Sequence, residues 1–530
     1  MININDTFNK ELTADNNRNN VPRQVHEAHF SYVTPRKPSN PKLLHVSKEM
    51  LANLGIDEAF ACPENSVAKT ETFLNLVSGA EVMDNTEPFA MCYGGHQFGQ
   101  WAGQLGDGRA INLFEIKHHN QRWALQLKGA GATPYSRTAD GFAVLRSSIR
   151  EHLCSEAMSA LGVPTTRSLS LSLTGDEVLR DMLYNGNSAY EKGAVVCRVA
   201  PSFIRFGNFQ IFAARKDVDN LRKLTDYTIR HFYPTIEVGT KTGYIEFFKM
   251  VTERTLEMII HWQRVGFVHG VMNTDNMSIL GLTIDFGPYG WLEGYDKGWT
   301  PNTTDRQHRR YRFGQQIGVG LWNLFQLANA LYPLIEDTKP LEAILDDYKS
   351  AYAKKYPAMM RQKLGLMTSL ETDAQLITTL ENNLEMVETD MTIFFRNLSQ
   401  INKNTLINDD SDFLNIIREA FYNESELNEK HISYWRDWFG LYIIRLQKET
   451  ATNEERQSLM NTVNPKYVLR NYMAQMAIDK ADNGDYSLIE ELHELLKQPY
   501  AEQPKHQKWF AKRPEWARHK VGCSMLSCSS

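Results

Sequence analysis

At 530 residues the chain is too long for one hydrophobic core, and two or three domains are expected. Lys and Arg number 58 against 63 Asp and Glu, a net charge of −5, which excludes a general nucleic-acid binder while leaving room for a local basic pocket. Hydrophobic content of 42% is ordinary for a globular protein, and no apolar run approaches the roughly 18–20 residues that span a bilayer, so no membrane partner is expected.

The first 24 residues, MININDTFNKELTADNNRNNVPRQ, are Asn-rich and polar. They have neither the apolar segment of a secretory signal nor the Arg-rich, acid-free make-up of a transit peptide, and a cytoplasmic location is the expectation. Residues 1–90 read as an N-terminal extension packing on the core, with a helix around KEMLANLGI. Residues 91–330 hold nearly all the Gly-rich, motif-like text. Residues 331–530 are mostly helical in pattern and end in a Cys-containing tail. There, YWRDWFGLYIIRL (434–446) and KYVLRNYMAQMAI (466–478) carry apolar residues at three- and four-residue spacing, and INKNTLINDDSD (401–412) reads as a loop. Cys62, Cys92, Cys154 and Cys197 stand singly in apolar surroundings and are read as reduced core residues. Cys523 and Cys528 lie in the polar tail VGCSMLSCSS and are expected to be exposed and reactive.

The middle region holds the chemistry. GQLGDGRAINLFEI places Gly103, Gly106 and Gly108 in a hairpin-like setting, either an ordinary turn or a loop that lets backbone approach a phosphate. In RWALQLKGAG, Trp123, Leu125 and Leu127 alternate, which predicts a strand with Lys128 on the opposite face. That lysine is either solvated or a phosphate holder like the strand lysine of protein kinases. DGFAVLRSSIREHLCSEAMSALGVP repeats Ile149, Leu153, Ala157 and Leu161, an amphipathic helix ended by Gly162 and Pro164. Glu151 on it either pairs with Lys128 or forms a capping box with Ser148. In VVCRVAPSFIRFGNFQIF, Arg198 and Arg205 sit among apolar residues and look like anion clamps.

HGVMNTDNMSILGLTIDFGPYG (269–290) is the most specific stretch. It follows the apolar-faced helix TLEMIIHWQRVGFVHG and predicts a short strand pair, SILGLTIDFG, delivering Asp285 of a DFG sequence. His269 lies seven residues before Asn276, the spacing of the kinase catalytic loop, yet Val271 stands where the kinase base belongs. Asn276 and Asp285 can coordinate Mg²⁺ or Mn²⁺ through oxygen. Asp275 is either a turn residue or a displaced base, and His269 is read as a structural hydrogen-bonder.

These segments resemble the selenoprotein O family of pseudokinase-like protein adenylyltransferases. The resemblance is carried by YGGHQFGQWAGQLGDGRA, LKGAGATPYSRTADGFAVLRSSIREHLCSEAMSALGVPTTR, RVAPSFIRFGNFQ, HGVMNTDNMSILGLTIDFGP and NPKYVLRNY, spanning about residues 90–475, and by the terminal CSS. It implies an α+β, protein-kinase-like, two-lobed core with ATP bound in reversed orientation. It also implies transfer of AMP to Ser, Thr or Tyr hydroxyls of protein substrates by a monomer. Some bacterial members use UTP, which makes UMP transfer the alternative; a non-catalytic nucleotide-binding scaffold is another. The resemblance further implies that Gly106, Gly108, Arg109, Asp140 and Gly141 contact nucleotide. Lys128, paired with Glu151, together with Arg198 and Arg205 would hold phosphates. Asp275 would accept the proton, and Asn276 and Asp285 would bind the metal. Cys528 stands where many animal members carry selenocysteine. The segment PYGWLEGYDKGWTPNTTD lacks the cysteine some bacterial members have, which makes Cys523 the expected redox partner of Cys528.

Overall fold

The computed structural model describes residues 3–61 and 67–527. It is a mixed α/β molecule in which an antiparallel sheet faces a larger helical half. The strands are β1 (Phe30–Tyr32), β2 (Lys42–Val46), β3 (Phe89–Met91), β4 (Gly94–Gln97), β5 (Gln100–Gln104), β6 (Ala110–His118), β7 (Gln121–Lys128), β8 (Ala143–Val144), β9 (Arg167–Arg180), β10 (Ala189–Ala200), β11 (Phe267–Val268) and β12 (Gly290–Trp291). The main sheet runs β1-β3-β6-β7-β10-β9-β2, with β8 paired to β10. The segment before residue 90 is woven into it, supplying both edge strands. Phe8 reinforces this by stacking on Phe89 at 5.1 Å, and the Asn5 N–H donates to the Glu115 carbonyl at 2.8 Å.

Register positions the site. Lys128 lies opposite Val196, and Gln126 lies opposite Arg198. Side chains alternate faces with a period of two, so Gln126, Lys128 and Arg198 share one face, while Leu125 and Leu127 point into the core. The helix Leu145–Ala160 packs against β9 and β10. It begins at Leu145 with Val144 as its cap, so Ser148 and Glu151 are interior helical residues and form no capping box.

Three sequence expectations are corrected. Gly103 belongs to β5, which pairs with β4 rather than β6, so the glycine run joins a small separate hairpin to the main sheet. SILGLTIDFG is no strand pair: its contacts are single bridges from Ser278 to Arg205 and from Thr283 to Thr165, and the pairing nearby is β11 with β12. Residues 466–470 are not helical, because the N–H groups of Lys466 and Tyr467 donate to the Pro499 carbonyl; the helix there is Asn471–Asp482. Two helix readings hold. KEMLANL is a helix ended by Gly55 at φ 67°, and YWRDWFGLYIIRL lies in the helix Glu429–Leu446, burying Trp435, Trp438, Phe439 and Tyr442. Among the described residues no helix is long and apolar enough to cross a membrane.

Candidate active site

A cleft of about 650 Å³ opens between the sheet and the helical half. Gly106, Gly108, Arg109, Lys128, Asp140, Gly141, Arg198, Arg205, Asp275, Asn276 and Asp285 all line it, brought together from the 106–109 loop, β7, the 140–141 turn, β10, the cap of the helix Phe206–Arg215 and the 271–288 loop. Glu151 lies just beneath, on the helix Leu145–Ala160.

The centre is a network of buried charges. The Lys128 ammonium meets Glu151 Oε2 at 2.5 Å and stands 4.0 Å from Asp285 Oδ1. Arg198 donates from Nη1 to Glu151 Oε1 at 3.0 Å and to Asp285 Oδ1 at 2.6 Å, and from Nη2 to Gln126. Arg205 donates to the other Asp285 oxygen and, at 2.9 Å, to the Asp275 carbonyl, and stands 3.6 Å from Asp107 Oδ1. Burial alone would raise the Asp285 carboxyl, but Arg205, then Arg198 and Lys128, outweigh it and hold it well below the usual carboxylate range. Burial pulls the Lys128 ammonium down to about 8 despite the neighbouring glutamate. The cations are therefore compensated inside the protein, and a bound anion is not needed to balance them. Asp285 adopts φ 59°, a left-handed conformation uncommon for a non-glycine residue.

Asp275 is a different kind of acid. It is buried in the turn Thr274–Asn276, its Oδ2 accepts from Gln97 Nε2 at 3.2 Å, and its Oδ1 has no partner. Burial pushes it up to about 6, against the pull of the Gln97 hydrogen bond. Gly95 makes room for it, since a Cβ there would stand 2.8 Å from Asp275 Oδ1. Gly106 is equally constrained, at φ 82° with the Tyr135 ring 2.4 Å from where a Cβ would be. Asp140 holds Arg180 at the cleft's rim, at 2.7 and 2.8 Å. Val271 lines the cleft with its side chain, while its carbonyl accepts from Asn276 Nδ2 at 3.0 Å and fixes that amide. His269 is structural, with Nε2 2.8 Å from the Ile284 carbonyl and its ring stacked on Trp262.

The donor set can be tested for a metal. Asn276 Nδ2 is engaged, which leaves its Oδ1 as an acceptor in the same cleft as the ionised Asp285 carboxylate, whose oxygens Arg198 and Arg205 would have to share with an ion. Two hard oxygens, without thiolate or imidazole, fit Mg²⁺ or Mn²⁺ completing its shell with phosphate and water. Among the described residues no group of three His, Cys, Asp or Glu side chains could hold an ion by itself.

The family model described as protein adenylyltransferase SelO matches residues 16–497. The chain belongs to the SelO family. It is 60% identical over 529 residues to the protein nucleotidyltransferase YdiU of Flavobacterium johnsoniae, covering 100% of this chain and 99% of that one. Identity to the proteins of the same name is 52% in Rhodopirellula baltica and 51% in an Azoarcus species, each covering 99% of this chain and 98% of the relative.

Two features of this SelO-family chain were not legible in its sequence. Gly95, Gln97, Asp107 and Gln126 support the site, although only their place inside the motif-rich segments marks them. The tail is packed down: Thr303 donates from N and Oγ1 to the Leu526 carbonyl at 2.7 and 2.8 Å, and Ser527 Oγ donates to the Met182 carbonyl. Cys523 is consequently buried, correcting the expectation of an exposed thiol, and burial pushes it up to about 11. Cys92, Cys154 and Cys197 are free and buried as expected, whereas Cys62 and Cys528 lie outside the described residues.

Proposed function

We propose that this SelO-family enzyme transfers AMP from ATP to Ser, Thr or Tyr hydroxyls of proteins, releasing pyrophosphate. In this reading residues 91–330 form a protein-kinase-like, two-lobed core, to whose sheet the preceding segment adds the edge strands. The observation that carries it is the pairing of two unlike carboxylates in one cleft. Asp285 is held ionised by three cations, while Asp275, with one free oxygen and its carboxyl pushed up to about 6, is poised to take a proton. Val271 leaves the kinase base position aliphatic, which argues against γ-phosphoryl transfer.

Lys128, Arg198 and Arg205 would grip the polyphosphate, exchanging part of their present bonding to Asp285 and Glu151 for phosphate oxygens. Gly106, Gly108 and Arg109 would lie along the nucleotide, with Asp140 and Gly141 at its other edge. Asn276 and Asp285 would hold Mg²⁺ or Mn²⁺, whose role when bound is to neutralise phosphate charge. Asp275 would receive the acceptor hydroxyl's proton as that oxygen bonds to the α-phosphorus. Positioning and fixed charge would supply most of the acceleration.

The deciding experiment is incubation of enzyme and acceptor protein with ATP labelled at the α- or the γ-phosphate. Label from the α-phosphate, with a mass gain of ~329 Da, is the expected result, whereas a gain of ~80 Da would reject it in favour of phosphoryl transfer. The same incubation with UTP decides between AMP and UMP, and absence of any label would leave a nucleotide-binding scaffold.

A further inference from the structure

Beside the cleft, outside the residues assigned above, runs the segment DRQHRRYRF, residues 305–313. Its acid is turned inward: Asp305 is buried, and its carboxylate accepts the N–H groups of Arg310 at 2.9 Å and Tyr311 at 2.7 Å. That fixes a loop on which Arg306, His308 and Arg309 are exposed and Arg310 and Arg312 are half-buried. Among the described residues none of these four arginines pairs with a carboxylate. Arg312 donates to the Arg309 carbonyl at 3.0 Å and to Gln315 Oε1 at 3.3 Å, and Arg310 lies over the Trp322 ring at 4.6 Å. Other arginines in the chain meet carboxylates, as Arg513 meets Glu293 at 3.0 Å and Arg518 meets Glu388 at 2.9 Å. Four arginines gathered around one inward-turned acid make a local basic patch in a chain of net charge −5, and guanidinium without a carboxylate partner beside aromatic surface is the composition of a binding face.

The patch is wired to the candidate base. A groove of about 450 Å³ runs along it, with Phe98, His308, Arg310 and Arg312 in its walls together with Asp305, whose carboxylate is taken up by the Arg310 and Tyr311 N–H groups. The Phe98 N–H donates to Asn273 Oδ1 at 3.1 Å and to the Tyr311 hydroxyl at 3.0 Å, and the neighbouring Gln97 donates to Asp275. A chain lying in this groove therefore runs past Phe98, whose neighbour Gln97 holds Asp275. Phe98 and Trp101, 37% and 40% exposed, offer apolar contact at the same place.

We propose that this groove docks the acceptor protein through acidic residues flanking the hydroxyl to be modified, so that the substrates are Asp- and Glu-rich extended segments. The inference rests on the reading of the cleft as a protein-modifying site. A short groove whose wall adjoins Gln97, the partner of Asp275, suits a peptide strand, whereas a nucleic acid would need a longer basic track than an acidic protein offers here.

The test uses three peptides with one central Ser, flanked by Glu, by Gln or by Lys. Binding is read by fluorescence anisotropy without nucleotide and transfer is read by α-phosphate label, for wild type and for R306E/R309E, both substituted positions being exposed. Wild type is expected to bind and label the Glu peptide about 10-fold better than the Gln peptide at low salt, an advantage that shrinks as salt rises. R306E/R309E is expected to turn the preference towards the Lys peptide with nucleotide affinity unchanged. Equal binding of the Glu and Gln peptides by wild type, or an unaltered preference in the variant, would overturn the proposal. So would a single-stranded oligonucleotide of equal charge that binds more tightly and displaces the Glu peptide. If the Glu peptide binds with the expected preference but no peptide gains label, the docking face stands and the transfer reading fails.

Discussion

Removing the charge of Asp275 while keeping its shape separates its chemical from its structural contribution. Its carboxyl is raised from 3.8 to about 6, so the native state binds its proton more tightly than the unfolded chain does. The stabilisation from that proton is complete below the unfolded value and is lost as pH rises through about 6. In metal- and nucleotide-free protein, Asp275→Asn should therefore be more stable than wild type at pH 8, by on the order of 1–3 kcal/mol, the difference vanishing towards pH 4. It should also lose transfer by about 10²- to 10⁴-fold, the usual worth of a general base. Thermal melts at the two pH values and α-phosphate labelling check both halves. Glu151 gives the opposite sign. It carries Lys128 at 2.5 Å and Arg198 at 3.0 Å, so Glu151→Gln leaves two buried cations short of an anion. A loss of about 3–5 kcal/mol in denaturant unfolding is expected, together with weaker nucleotide binding. These charged residues were readable from sequence because Lys, Arg and Asp are rare inside apolar segments. Their mutual compensation was not, since it depends on β7–β10 register and on the backbone turn at Asp285.

At the scale of elements, the β4–β5 hairpin acts as a backstop for Asp275, the proposed base. It touches the 273–275 turn through Gln97, Phe98 and the His96 N–H, which donates to Thr274 Oγ1 at 2.7 Å. Gly95→Ala would place a methyl 2.8 Å from Asp275 Oδ1. Displacing the base by even a fraction of an ångström should lower the transfer rate by about 10- to 100-fold, with nucleotide affinity and melting temperature little changed. A fall in affinity as large as the fall in rate would show that the hairpin serves nucleotide binding instead. Helices with strong periodicity, such as Leu145–Ala160, were legible because their stripes pack on one neighbour. Segments 278–287 and 466–470 were misread because apolar residues there are held by isolated tertiary hydrogen bonds, which leave no period in the sequence. The same limit applies to Cys523, whose burial comes from contacts made by its neighbours and not from its own surroundings in the chain.

Over the whole molecule, both termini are structural parts of the region that carries the cleft. The segment before residue 90 supplies β1 and β2 at the two edges of the main sheet, so a chain starting at residue 90 would expose the outer edges of β9 and β3. Such a truncation is expected to lose its cooperative thermal transition by circular dichroism rather than leave a folded core; a sharp transition would show that the core is autonomous. Towards the other end, the Leu526 carbonyl accepts from Thr303, Ser527 donates to the Met182 carbonyl, and Leu526 closes a bridge with Asn302. The 523–527 stretch thus staples together segments that stand far apart in the chain. A proteolytic clip ahead of residue 523 would then act at a distance: it removes none of the residues that line the cleft, yet it unfastens two segments that this stretch holds together.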